Sequence, residues 1–162
     1  MDEKVVEMTN TLEVNNGNEL KQARIGIVAS QFNSFVVDRL LNGCVQTLEQ
    51  NEIRIDIVRV PGAFEIPVAV QAMIKSTKCN AVIALGAIIR GETPHFDFIA
   101  SECSRGLATV ALDLETPVIF GVLTVDTTEQ ALDRAGDEES NKGVEAALAA
   151  IDMVKTLQVI RG

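Results

Sequence analysis

The stretch Ala81-Val82-Ile83-Ala84-Leu85-Gly86-Ala87-Ile88-Ile89-Arg90-Gly91-Glu92-Thr93-Pro94-His95-Phe96-Asp97 decides how this chain is organised. Its first nine residues form an unbroken apolar run, too short to cross a bilayer and lacking the polar alternation of a half-solvated strand. Such a run reads as a strand buried on both faces, which belongs to a parallel sheet covered by helices. It stops at Arg90-Gly91-Glu92-Thr93-Pro94-His95, which sets a cation, a flexible glycine, a helix-start signal and the only histidine at one strand end. Open parallel sheets bind ligands outside the carboxyl ends of their strands. The chemistry of the chain is therefore expected at this junction.

Outward from this strand, apolar strands and amphipathic helices alternate from Arg24 onward. Arg24 to Ser30 reads as a first strand. Ser34 then caps a helix with Val36, Val37, Leu40, Leu41, Cys44, Val45 and Leu48 on one face. Ile53 to Val60 is a second strand, Pro61-Gly62-Ala63 a turn, and Pro67 fits the first turn of the next helix. After the central strand, a helix runs to about Leu112, and Pro117 to Thr124 forms a fourth strand. Asp126 or Thr127 caps a short helix, with Glu129 or Gln130 completing a capping box and Gly136 closing it. A last helix carries Val144, Ala147, Leu148, Ile151, Val154 and Leu157 or Gln158 along one face. Strict alternation predicts right-handed crossovers and helices on both faces of a parallel sheet. The polar stretch from Met1 to Gln22, with Asn15-Asn16-Gly17-Asn18, reads as an arm with a short strand at Glu3 to Met8.

A chain of 162 residues has room for one domain. Its 47% hydrophobic content suits a globular protein, and its net charge of −9 argues against nucleic acid and against anionic membrane surfaces. An anionic substrate would need local cations. Cys44, Cys79 and Cys103 are far apart and in no metal-ligand spacing, which points to buried thiols in a reduced compartment. With no leader-like opening and no apolar run near ~20 residues, a cytoplasmic location is expected.

With no Trp or Tyr, the six phenylalanines are the aromatic inventory. Phe32 and Phe64 follow the first and second strands, where a flat ring either stacks on a heteroaromatic ligand or simply packs. Phe98 and Phe120 are expected in the core. Thr93-Pro94 has the pattern of an N-cap followed by the first helical residue, so the helix it opens would turn free N–H groups toward the strand end. Such an end suits a phosphate or carboxylate, and Arg90 either assists it, is solvated or pairs with an acid. An imidazole exchanges protons near neutrality, which makes His95 a candidate acid–base group, with Asp97 two residues on as an orienting or capping group. Zinc is not expected without further histidines or paired cysteines. Lys142 and Glu145 share a helix face, either as a site pair or as a solvated surface. No G-x-G-x-x-G, G-x-x-x-x-G-K-[ST] or G-x-S-x-G occurs.

Several segments taken together resemble the lumazine synthase family. They are Phe32-Asn33, Val60 to Pro67, Gly86 to Asp97, Phe120 to Thr124, Glu129 to Gly136 and Asn141 to Ala146, in order and with matching spacing between about Arg24 and Leu157. The resemblance implies a three-layer α/β/α fold of flavodoxin-like topology with a four-stranded parallel sheet. Residues 1–22 would be an arm adding a strand to a neighbouring subunit, and 23–162 the lumazine synthase domain. It implies a transferase that joins 5-amino-6-(D-ribitylamino)uracil to 3,4-dihydroxy-2-butanone 4-phosphate, the penultimate step of riboflavin biosynthesis, with no cofactor and no metal. By motif, His95 would transfer protons. Phe32, Asn33, Ala63, Phe64, Glu65, Ile88 and Ile89 would hold the pyrimidine and ribityl groups. Gly91, Glu92 and Thr93 would bind phosphate, the Glu92 carboxylate pointing away from it. Phe120, Arg134, Lys142 and Glu145 would arrive from the adjacent subunit, Arg134 on the phosphate. The partners implied are small-molecule substrates, four further copies in a homopentamer, a sixty-subunit icosahedral shell, and riboflavin synthase. Two other readings are a flavin-binding module of flavodoxin type and a shell-forming scaffold without activity. The first would want a hydroxyl-rich loop after strand one, where Ala29-Ser30-Gln31-Phe32-Asn33 stands.

Overall fold

A computed structural model of the chain describes residues 20, 22–137 and 139–162. The expected strand at Glu3 to Met8 and nearly all of the arm lie outside the described residues. Four strands, β1 (Arg24–Ser30), β2 (Arg54–Val60), β3 (Ala81–Ile89) and β4 (Val118–Val125), pair in parallel in the order β2-β1-β3-β4. Five helices connect and flank them: α1 (Ser34–Gln50), α2 (Ile66–Thr77), α3 (His95–Asp113), α4 (Thr128–Asp133) and α5 (Lys142–Arg161). The parallel sheet between helices is what the alternation implies, and the strand order is that of the flavodoxin-like α/β/α fold implied by the resemblance.

The apolar run fills the centre of the sheet. Along β3, Ala81, Ile83, Leu85 and Ala87 pack with buried residues of α1 and α5, while Val82, Ala84 and Ile88 pack with those of α2 and α3. Every β3 residue except Ile89 is buried, as expected of a strand with helices on both faces. Each fully buried Val, Leu or Ile there contributes about 1.5–3 kcal/mol of transfer free energy. On the expected α1 face Val36, Val37, Leu40, Cys44 and Leu48 are buried, while Leu41 and Val45 are partly buried against them. On α5, Ala147, Ile151 and Val154 are buried, but Leu148 points to solvent. Burial pushes the Cys44 thiol up to about 12 and that of Cys103 to about 11. Both stay protonated at neutral pH and are unsuited to nucleophilic work.

Three expected caps differ. Asn33, not Ser34, occupies the N-cap position of α1 and makes no side-chain cap, its backbone in the left-handed region at φ 59° that Asn tolerates better than most residues. Pro94, not Thr93, occupies the N-cap of α3 and makes no side-chain cap, so the helix begins one residue later, at His95. Gly136 does not close α4, which ends at Asp133 with Arg134 in right-handed geometry. The capping box of α4 is present, between Thr127 and Gln130.

Helices α1 and α5 meet at Gly143. A Cβ there would sit 2.7 Å from the Leu40 carbonyl carbon and closer still to its oxygen, which is backbone and cannot step aside alone. Buried Asn141 reinforces the contact, donating to the Arg39 and Gly136 carbonyls and accepting from Gly143 and Val144 N–H as the N-cap of α5. Gly143→Ala gains up to ~1 kcal/mol of helix propensity, but overpacking against backbone costs up to ~3 kcal/mol. A net loss of about 2 kcal/mol is expected in urea unfolding. A midpoint equal to or above that of the parent would show that the two helices separate freely.

Candidate functional site

The order β2-β1-β3-β4 reverses direction between β1 and β3, and in such sheets the crevice opens there, beyond the carboxyl ends. A cleft of about 560 Å³ occupies this place. Ser30, Phe32 and Asn33 line it from the end of β1, Pro61 to Glu65 from the end of β2, and Ala87, Ile88, Ile89, Gly91, Thr93, His95, Phe96 and Ile99 from β3 into α3. The junction that ends the apolar run thus forms one wall.

Local geometry explains the other two. Gln31 N–H donates to the Val60 carbonyl at 2.7 Å and Phe32 N–H to that of Pro61 at 3.0 Å, which ties the turn after β1 to the turn after β2. The Asn33 amide donates to the Ala87 carbonyl at 2.8 Å, tying the same turn to β3. Its left-handed backbone frees the side chain for this bond rather than for capping. Held this way, the Phe32 ring is 70% exposed, and Phe64, on a short 3-10 turn (Ala63–Glu65), is 58% exposed. Large apolar rings left open in a cleft are the kind of surface a planar ligand covers.

His95 is the first residue of α3 and exposed. The first intrahelical bonds of α3 run from Asp97 and Phe98 N–H to the Pro94 carbonyl. The N–H groups of His95 and Phe96 precede them, as the free donors of a helix start do. A Cβ added at Gly91 would meet nothing within 4 Å, so the backbone here faces open space. Glu92 is exposed and does not line the cleft.

Arg90 does not line the cleft either. Its Nε donates to Asp126 at 2.8 Å, a terminal nitrogen lies 3.6 Å from the Asp97 carboxylate, and the guanidinium sits 4.3 Å from the centre of the Phe96 ring. The Asp126 hydrogen bond, with the Asp97 charge nearby, holds Arg90 above the ordinary arginine range. Of the alternatives left open for it, the acid pair is the one present.

The remaining candidates gather elsewhere. Phe120, Arg134, Lys142 and Glu145 line a second depression of about 400 Å³ along β4, α4 and the start of α5. Lys142 N–H donates to the Arg134 carbonyl at 2.8 Å, and a bridge between Ala135 and Asn141 closes the intervening loop, so the backbones of the two residues are held side by side. Lys142 pairs with Glu145 at 2.9 Å. Arg134 donates to the Gln130 carbonyl at 3.1 Å and has no carboxylate partner among the described residues. Phe120 is 46% exposed and Phe98 67%, so neither is a core residue. β4 is an edge strand and α3 turns Phe98 outward, which alternation within a segment does not reveal.

Nothing in the sequence singled out Ser30, Pro61, Gly62, Ala87, Phe96 and Ile99 as lining residues or Asp126 as the partner of Arg90. The position of Asp126 one residue beyond β4 was the available signal. Among the described residues, no helix is long and apolar enough to cross a membrane. A family model described as 6,7-dimethyl-8-ribityllumazine synthase matches residues 22–158, a span containing every candidate residue above.

Proposed function

The chain belongs to the 6,7-dimethyl-8-ribityllumazine synthase family, whose members are transferases, and on that premise we propose that it condenses 5-amino-6-(D-ribitylamino)uracil with 3,4-dihydroxy-2-butanone 4-phosphate, releasing phosphate and water. The observation that carries this reading is the division of its candidate residues into two depressions. One holds two exposed aromatic rings, a helix start and the single histidine, and the other the exposed Phe120 ring, Lys142 and Arg134, which has no carboxylate partner among the described residues. The first has no lysine or arginine among its lining residues to meet a phosphate, and the second has no histidine.

In the proposed mechanism, Phe32 and Phe64 stack on the pyrimidine, while Asn33, Ala63, Glu65, Ile88 and Ile89 shape its pocket and that of the ribityl chain. Gly91, Thr93 and the N–H groups near the start of α3 receive the phosphate, as does Glu92 through its backbone. The amine attacks the ketone, a Schiff base forms, phosphate leaves, and the enol rearranges before the second ring closes. His95 moves protons through these steps. Most of the acceleration comes from holding two small molecules together, which alone is worth ~7–11 kcal/mol when orientation is good. A homopentamer brings Arg134, Phe120, Lys142 and Glu145 of a neighbour against the cleft, so that the anion meets cations despite the net charge of −9. Pentamers of this kind also suit an icosahedral shell and an association with riboflavin synthase.

Mixing the purified protein with both substrates and following lumazine fluorescence tests the assignment. Product well above the spontaneous rate is expected. Particles that form without producing lumazine would make the chain a scaffold. A tightly held yellow chromophore without turnover would make it a flavin-binding module.

A further inference from the structure

We propose that Arg90 is a positioning residue that fixes the start of α3, and with it His95, relative to the α4 end of the same chain. The inference rests on the function proposed above. Its basis is where the three contacts of Arg90 fall. Two are on the residues immediately after His95: the Phe96 ring under the guanidinium at 4.3 Å and the Asp97 carboxylate at 3.6 Å. The third is on Asp126 at 2.8 Å, the residue before the α4 cap.

Without this tie, the path from β3 to His95 is loose. Residues 90–94 belong to no strand or helix, Gly91 has open space around it, and α3 starts without a side-chain cap. The far anchor is firm. Asp126 N–H donates to the Gln130 side chain at 2.8 Å, within the capping box that opens α4, and α4 ends next to Arg134. Arg90 itself is fixed by donating its backbone N–H to the Val125 carbonyl at 2.8 Å. A planar fork of donors with a flat face is the one side chain able to hold two carboxylates and a ring at once.

The side chains of Arg90, Asp97 and Asp126 are 47%, 64% and 66% exposed. Such surface pairs contribute little to global stability. A role in stability alone therefore predicts little change on removal, whereas a role in placement predicts a loss of turnover. Because a misplacement of 1 Å can cost ~100-fold in rate, Arg90→Met is expected to lower kcat by at least about tenfold, with the KM of both substrates nearly unchanged. Asp126→Asn is expected to lower kcat in the same direction, and the double variant to be no slower than Arg90→Met. Arg90→Lys keeps the charge without the fork and is expected to fall between parent and Arg90→Met.

Amide exchange of the peptide spanning residues 90–99 is a readout that needs no turnover, and it is expected to quicken in Arg90→Met. If the parent makes no lumazine, the proposed function falls while this exchange still reads the tie. If the parent is active but Arg90→Met keeps its kcat and its exchange, the positioning role is overturned and the function stands. A rise confined to the KM of the phosphate substrate would make Arg90 a binding cation and also overturn it. Should Arg90→Met fail to fold, Asp126→Asn decides by the same kcat and exchange measurements.

Discussion

His95→Ala is expected to lower kcat by about 10²-fold while leaving the KM of the pyrimidine substrate nearly unchanged. Among the residues lining the cleft, Glu65 is the one carboxylate and His95 the one imidazole. A carboxylate of ordinary pKa near ~4.3 offers little acid at neutral pH, whereas imidazole, ordinarily near ~6.5, gives and takes protons there. The proposed sequence needs both directions, since Schiff-base formation protonates a leaving hydroxyl and loss of phosphate follows removal of a proton. General acid–base catalysis typically supplies 10²–10⁴-fold. The lower figure is expected because the variant still holds both substrates together and solvent reaches the open cleft. His95 is exposed at a helix start, so folding and assembly should be unaffected, which sedimentation checks. A variant turning over at the parental rate would remove the imidazole from the mechanism.

Much of this architecture is legible in the residues themselves. The buried run Ala81–Ile89 names a parallel sheet, and its abrupt end names the wall of the cleft. The Thr127–Gln130 capping box is local and was readable as such. What was not readable depends on neighbours in space. Phe120 looks like core because it lies inside the apolar strand β4, yet β4 is the edge of the described sheet, and edge position follows from strand order rather than from any single strand. Thr93-Pro94 reads as a cap, yet the helix starts one residue on, within the usual uncertainty of helix ends. Asn33 reads as a contact residue by resemblance. Its bond to the Ala87 carbonyl, 54 positions away, gives it a structural task that no local pattern announces. Likewise, nothing local pairs Arg90 with Asp126.

Arg134→Ala is expected to raise the KM of the phosphate substrate by about 30- to 150-fold, with a much smaller effect on that of the pyrimidine. Removing one partner of a charge-assisted contact costs ~2–5 kcal/mol, and the exposure of Arg134 places the expectation toward the lower end, near ~2–3 kcal/mol. Arg134 is suited to the role because it has no carboxylate partner among the described residues, unlike Lys142, which holds Glu145. An equal rise for both substrates would argue against a phosphate contact. The same variant also tests where its guanidinium acts. On one chain, His95 and Arg134 line different depressions, and the proposed shared site takes them from different copies. If Arg134→Ala and His95→Ala proteins are dissociated, mixed in equal amounts and reassembled, about one junction in four then joins an intact His95 to an intact Arg134. Activity at low phosphate-substrate concentration should therefore climb from near the background of either variant to about a quarter of the parent's. No such recovery could arise if each chain used its own His95 and Arg134, because every chain in the mixture lacks one of them. A mixture that stays at the average of its components, after exchange of subunits is verified by mass, would place both groups on one chain and remove the shared site from the mechanism.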